Sequence, residues 1–196
     1  MSCTLAAPAS FEQQIQKSRF LARAWPVADA DSAMAHVADC AREDASHHCW
    51  AWRIGQHYRF HDAAEPAGTA GRPILQAIDG QALDQVVAVV SRWFGGIKLG
   101  AGGLVRAYGG TAAECLRLAA RRALIDYEEF LVGVPFASES ALRQLLGELE
   151  GSLGEERYDS AGLRCRARLP RAAGECFANR LRDLCRGQAT IAPWRE

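Results

Sequence analysis

The chain has 196 residues, enough for one domain or two small ones. It is 49% hydrophobic and 23% charged, which suits an ordinary globular fold, and no apolar run approaches the ~20 residues of a transmembrane helix. Its 23 basic and 23 acidic residues cancel, which excludes a global electrostatic drive toward nucleic acid and leaves only a local basic patch to look for. The N-terminus shows no basic-then-apolar leader, and the seven cysteines are scattered with no C-x-x-C pair. Reduced core thiols in a cytoplasmic protein fit that pattern better than disulfides or zinc.

Residues 1–9 are small and polar and read as a loose lead-in. Two strands are expected between Ser10 and Val27, around a turn at Gln16-Lys17-Ser18, because Phe20, Ala22 and Ala24 alternate with Leu21, Arg23 and Trp25. Asp29 or Asp31 is placed to cap a helix to about Arg42, with Met34, Val37 and Ala41 on one face. His48, Trp50 and Trp52 alternate with Cys49, Ala51 and Arg53, which predicts a strand. Gly55-Gln56 turns it, and Tyr58-Arg59-Phe60 returns as its partner. The pattern dissolves into a loop from Asp62 to Pro73, and Pro73 occupies the first turn of a short helix, Ile74 to Ile78, that Gly80 ends.

Val86 to Val90 is apolar throughout, as a strand buried on both faces should be. It enters a loop with five glycines, Gly95, Gly96, Gly100, Gly102 and Gly103. A helix leaves that loop, since Leu104, Tyr108, Thr111, Cys115 and Leu118 recur at helical spacing, and it runs to about Ala120. A second organisation starts near Arg121-Arg122. Phe130 to Phe136 alternates as a strand, and Ser138 caps a helix carrying Leu142, Leu145, Leu146 and Leu149. Gly151 to Asp159 and Leu163 to Leu169 are two further strands; Ala173, Phe177, Leu181 and Leu184 mark a helix, and a last strand lies near Ala189-Ile191. The order β-α-β-β-α-β is that of a ferredoxin-like sandwich. The expected fold is therefore α/β (α+β) in two domains, residues 1–125 and 126–196.

A strand, a glycine loop and a helix can present backbone N–H groups to an anion, and Arg92, Lys98 and Arg106 surround this one with positive charge. It is not a Walker A loop, because Lys98 is followed by Leu99. It is not a dinucleotide loop, because Val105 stands where the third glycine belongs. The plainer explanation is that the glycines allow tight turns and close helix–strand packing. Thr69-Ala70-Gly71-Arg72 is a second candidate for an anion, or equally a turn in which Arg72 pairs with a carboxylate. His47, His48, Cys49, His57, His61, Asp62 and Glu65 are the densest ligand-type cluster, but their spacing matches no metal signature, and His47 and His48 point to opposite sides of a strand. No metal or cofactor is expected. His48, Cys49 and Glu65 stay as catalytic candidates, with Cys49 as nucleophile or Glu65 and Asp62 as a carboxylate pair. Arg164, Arg166 and Arg168 form a basic row on one sheet face; RNA could lie across it, but cross-strand pairing with Glu155 and Asp159 is preferred.

Four blocks together carry a more specific signal. They are Lys17-Ser18-Arg19-Phe20, His47-His48-Cys49-Trp50-Ala51, Glu65-Pro66-Ala67-Gly68-Thr69-Ala70-Gly71-Arg72-Pro73, and Arg92 to Tyr108 with the glycine loop inside it. In this order they resemble the YigZ/IMPACT family, and the region from about residue 126 resembles the small C-terminal domain of its bacterial members. The resemblance implies a first domain like the second domain of a small-subunit ribosomal protein, as in domain IV of elongation factor G, and a second like domains III and V of that factor. It also implies a regulatory, non-catalytic role in translation, since eukaryotic relatives compete for a partner that activates an initiation-factor kinase. RNA, the ribosome or a translation factor follows as the expected partner. Under this reading Arg72, Arg92, Gly95, Gly96, Lys98, Gly100, Gly102, Gly103 and Arg106 form the ligand surface, beside the Glu65, Pro66, Gly68, Thr69 and Gly71 loop. The family pattern reads Asp-Asp-Gly-Glu where this chain has Asp62-Ala63-Ala64-Glu65, so a carboxylate and a glycine are missing here.

Overall fold

A strand that is apolar on both faces needs cover on both sides, and Val86–Trp93 receives it. The computed structural model describes residues 3–194. In chain order the elements are β1 (Cys3–Leu5), β2 (Ala9–Ile15), β3 (Ser18–Pro26), α1 (Ala30–Cys40), β4 (His47–Ile54), β5 (His57–His61), α2 (Gly71–Gly80), β6 (Val86–Trp93), α3 (Gly100–Leu118) and β7 (Arg121–Ala123). There follow β8 (Tyr127–Val134), α4 (Glu139–Glu148), β9 (Ser152–Asp159), β10 (Gly162–Pro170), α5 (Gly174–Leu184) and β11 (Thr190–Pro193). The chain divides into two units, Met1–Leu124 and Ile125–Glu196.

In the first unit β6 is the middle of an antiparallel five-stranded sheet ordered β2-β3-β6-β4-β5. Val86, Ala88 and Val90 pack with Cys49, Ala51 and the buried faces of α2 and α3. Val87 and Val89 pack on the other side with Trp50, Trp52 and the Ala33–Val37–Cys40 face of α1. The β2–β3 turn is made by Gln16 and Lys17, both with positive φ, as the tight hairpin turns that match strand twist require. Asp29 caps α1: its carboxylate accepts the Ser32 N–H at 2.8 Å.

Two expectations are corrected here. Residues 3–5 are not loose: β1 pairs with β7, and Thr4 and Leu5 are fully buried. A three-residue strand is too short to show a period, and its partner lies at the far end of the unit. The part of that lead-in at residues 1 and 2 falls outside the described residues. Secondly, α3 begins at Gly100 rather than Leu104, so Gly100, Gly102 and Gly103 belong to its first turn and the loop shrinks to 94–99. Glycine opposes helix locally, but tertiary packing outweighs propensity: a Cβ on Gly109 would sit 3.3 Å from Pro73 Cβ, which shows how closely α3 approaches α2.

The second unit has the order β-α-β-β-α-β and an antiparallel sheet ordered β11-β8-β10-β9. Leu142, Leu145 and Leu146 of α4 and Phe177 and Leu181 of α5 cover one face, against Leu163, Cys165, Ala167 and Leu169. The opposite face carries the arginine row, and neighbours engage it. Arg164 pairs with Asp159 at 2.6 Å, Arg166 pairs with Glu155 and with Glu129, and the Arg168 guanidinium lies 3.9 Å from the Tyr127 ring centre. Among the described residues no helix is long and apolar enough to cross a membrane.

The buried N-terminal strand has a measurable consequence. Leu5→Ala is expected to lower stability by about 2–5 kcal/mol in urea denaturation, the range for a fully buried leucine; a change below about 0.5 kcal/mol, the size typical of a surface position, would contradict the packing described.

Candidate functional site

Three strands bring their ends together at one edge of the first unit. Ser18 begins β3, His47 begins β4 and Trp93 ends β6, with Arg19 opposite Trp93 and His47 opposite Arg92. The period-2 alternation that puts Val86, Ala88 and Val90 under α2 and α3 also puts Arg92 there. Arg92 is therefore only 4% exposed. Its guanidinium meets the Asp62–Ala70 loop: Arg92 Nη1 donates to Glu65 Oε1 at 2.6 Å, and both side chains are 5% exposed. The Tyr108 hydroxyl donates to the same oxygen at 2.8 Å, and His47 Nε2 lies 3.8 Å from it. Arg92 Nη2 reaches Ser18 Oγ at 3.4 Å, and the guanidinium carbon sits 5.5 Å and 5.4 Å from the rings of Phe20 and Phe94. Arg92 is thus an internal strut and not part of the expected ligand surface. An arginine at a strand end is taken for solvent-exposed unless its alternation is followed to the inner face.

The second loop is closed by its own carboxylate. Asp62 accepts the N–H groups of Gly68 at 2.9 Å, Ala70 at 2.9 Å and Gly71 at 2.8 Å, the last being the first residue of α2. Burial pushes this carboxyl up, but the three amides outweigh it and hold it below its ordinary value of 3.8. The Thr69, Ala70 and Gly71 amides that could have cradled an external anion are therefore occupied, the first by the Pro66 carbonyl and the other two by Asp62. Thr69 is buried, and its hydroxyl donates to the Pro66 carbonyl at 2.6 Å. Gly68 has φ +76°, and a Cβ on Gly71 would lie 2.7 Å from the His61 backbone. Ala63 and Ala64 occupy the left-handed region, at φ 43° and 66°. Without a glycine at 64 this costs roughly 1 kcal/mol per residue.

The glycine loop is fixed to the strand ends beside it. The Phe94 N–H donates to Ser46 Oγ at 3.1 Å and the Gly95 N–H to Ser18 Oγ at 3.2 Å. A Cβ on Gly95 would collide with the Lys17 carbonyl, so this residue is required by close approach, while Gly96 and Gly100 have φ +86° and +71°. Lys98 and Arg106 are exposed, as are Lys17 and Arg72, and none of the four forms an ion pair among the described residues. The sequence-predicted ligand residues other than Arg92 thus lie on or line the two loops, the first turn of α2 and the first two turns of α3.

The catalytic candidates converge only in part: Cys49 and Glu65 both neighbour the Tyr108 hydroxyl, while His48 lies apart. Cys49 is fully buried, donates to the Asp62 carbonyl at 3.0 Å, and burial pushes its thiol up to about 12, so it is a neutral thiol near pH 7. His48 sits on the other sheet face with Trp50 and Trp52, and its Nδ1 is 2.9 Å from Ser91 Oγ. Glu65 is committed to Arg92. Among the described residues no three His, Cys, Asp or Glu side chains are grouped to hold a metal ion. Sequence reasoning missed Ser18, His47 and Tyr108 as members of one network, although each lies in one of the four blocks.

Comparison with known proteins follows the same blocks. Residues 16–116 match the Impact N-terminal domain. An IMPACT family member encoded in the pol 5′ region of Thermus thermophilus is 48% identical over 181 residues, which cover 90% of this chain and 98% of that one. IMPACT family member YigZ of Escherichia coli K12 is 36% identical over 193 residues, covering 95% and 94%. A crystal structure of a hypothetical protein superposes with a TM-score of 0.70 at 34% identity, covering 100% of this chain and 98% of that one.

The network predicts unequal costs. Arg92→Met is expected to destabilise by about 3–5 kcal/mol in urea denaturation, because it leaves a buried carboxylate uncompensated, and adding Glu65→Met should recover part of that loss. Additive losses would show that the two residues act separately. Ala64→Gly is expected to raise stability by about 0.5–1 kcal/mol by relieving the left-handed alanine, and a loss of stability would contradict that backbone geometry.

Proposed function

This chain belongs to the IMPACT family, and from that premise we propose that it is a non-catalytic, translation-associated binding protein of the cytoplasm that engages RNA, the ribosome or a ribosome-linked factor. The observation that carries the reading is a set of exposed cations in and beside the two loops that form no ion pair among the described residues. The Glu65–Arg92 pair ties the two loops together, while Lys98 in the glycine loop, Lys17 in the β2–β3 turn, Arg72 in α2 and Arg106 in α3 are exposed without carboxylate partners among the described residues. Such a surface suits phosphate contacts, which position a nucleic acid without reading its sequence. The fold that the family resemblance implies, a ribosomal-protein-like first domain as in elongation factor G and a ferredoxin-like second, supports the same direction by analogy. A hydrolase acting on a phosphate- or peptide-containing small molecule was the other reading. It would need His48, Cys49 and Glu65 to act together, but His48 lies on the opposite sheet face from the other two, Cys49 is a buried thiol and Glu65 is engaged by Arg92. A pure protein-interaction module remains distinguishable by experiment.

Tagged protein sedimented with ribosomes through a sucrose gradient tests the reading. Co-migration is expected at low salt, with loss as salt rises because phosphate contacts release counterions. Lys98→Ala combined with Arg106→Ala should weaken it further. Absence of co-migration together with no crosslinked RNA would refute the proposal, and a partner retained after nuclease treatment would point to a protein ligand instead.

A further inference from the structure

The Phe94–Leu99 segment has an unusual combination of rigidity and exposure. Phe94 is 49% exposed and Ile97 40%. The segment's first two amides are held by Ser46 and Ser18, and the Phe94 ring sits 5.4 Å from the guanidinium carbon of Arg92, which Glu65 fixes in turn. An exposed aromatic ring on a pre-ordered backbone is a surface that another flat group can cover with little further loss of entropy. Lys98 belongs to the same loop, Lys17 to the turn against which Gly95 packs, and Arg106 to the second turn of α3. All three are exposed and lack an ion pair among the described residues. The carboxylates of the neighbouring loop do not oppose an anion here, because Asp62 is engaged by backbone amides and Glu65 by Arg92 and Tyr108. The second unit offers a contrast: its arginine row is engaged by Asp159, Glu155, Glu129 and Tyr127.

We infer that this loop binds single-stranded nucleic acid, with a base face on Phe94 and neighbouring phosphates on Lys17, Lys98 and Arg106. The inference rests on the binding role proposed above and narrows it to one ligand class. A duplex hides its base faces within the stack, so a ring of this kind selects for unpaired bases. The ring supplies contact that tolerates any base, and the cations supply contact that weakens with salt.

The test uses the full chain and a fluorescein-labelled oligouridylate of about 12 nucleotides, followed by anisotropy at about 50 and 200 mM KCl. Phe94→Leu keeps an apolar side chain but removes the ring; it should weaken binding at least about fivefold with the salt slope unchanged. Phe94→Trp should retain wild-type affinity, which separates loss of stacking from loss of fold. Lys98→Ala should weaken binding and reduce the salt slope by about 0.7. Leu118→Ala, 60% exposed at the other end of α3, should change nothing. The inference is overturned if Phe94→Leu binds like wild type, or if a hairpin duplex binds as tightly as the oligouridylate. It is also overturned, alone, if the wild type sediments with ribosomes but ignores the oligouridylate. If the wild type binds neither, the binding role itself fails.

Discussion

The first unit depends on one buried ion pair. Glu65 and Arg92 come from segments 27 residues apart, and their contact decides where both loops lie. Removing two charges from water is costly, and neighbouring groups offset part of that cost, while Arg92 Nε stays buried without a hydrogen-bond partner. Tyr108 donates to the same carboxylate oxygen, Ser18 approaches the guanidinium, and the Phe20 and Phe94 rings flank it. Apolar residues of similar volume could bury as much surface. They would not impose a single register on the Asp62–Ala70 loop, because apolar contact has no direction. The four sequence blocks are separated along the chain, yet each contributes at least one member to this cluster: Ser18, His47, Glu65, and Arg92 with Tyr108.

That arrangement explains a division of labour among the motif residues. The glycines that matter most are placed by contact: Gly95 because the Lys17 carbonyl is in the way of any side chain, and Gly71 because the His61 backbone is. Asp62 satisfies three amides, and Thr69 closes its own turn. These residues build the surface and are largely unavailable to a ligand. The residues that face outward, Lys17, Phe94, Ile97, Lys98 and Arg106, are held in place by the former group.

Strands with strict alternation were legible in the sequence. Leu163 to Leu169 against Arg164 to Arg168 emerged as a half-buried strand, and even its acidic partners Asp159 and Glu155 could be named. The first strand could not be read, because three residues show no period and its partner is formed at Arg121–Ala123. The start of α3 was misplaced because three glycines mask a helix that Pro73 and the sheet hold in place. The site blocks were visible, but the role of Arg92 was not, since a charge after a loop-forming run suggests solvent. Continuing the alternation of Val86, Ala88 and Val90 by one step would have placed it inside. Tyr108 was readable as a core residue, whereas the destination of its hydroxyl depended on a loop whose path only the folded chain reveals.

The pairing of β1 with β7 has a topological consequence. It sets Cys3 opposite Ala123, so the chain enters and leaves the first unit at one point. That point adjoins the start of β6, where the Thr4 hydroxyl bonds the Gln85 carbonyl, whereas the two loops lie at the strand's other end. Seven steps of β-strand separate the two poles, roughly 23 Å at about 3.3 Å per residue. The two ends of the unit therefore lie at one pole and the two loops at the other. A module with adjacent ends can be spliced into a loop of a host protein or circularly permuted without crossing its own core, and either operation would leave the two loops unobstructed by the join.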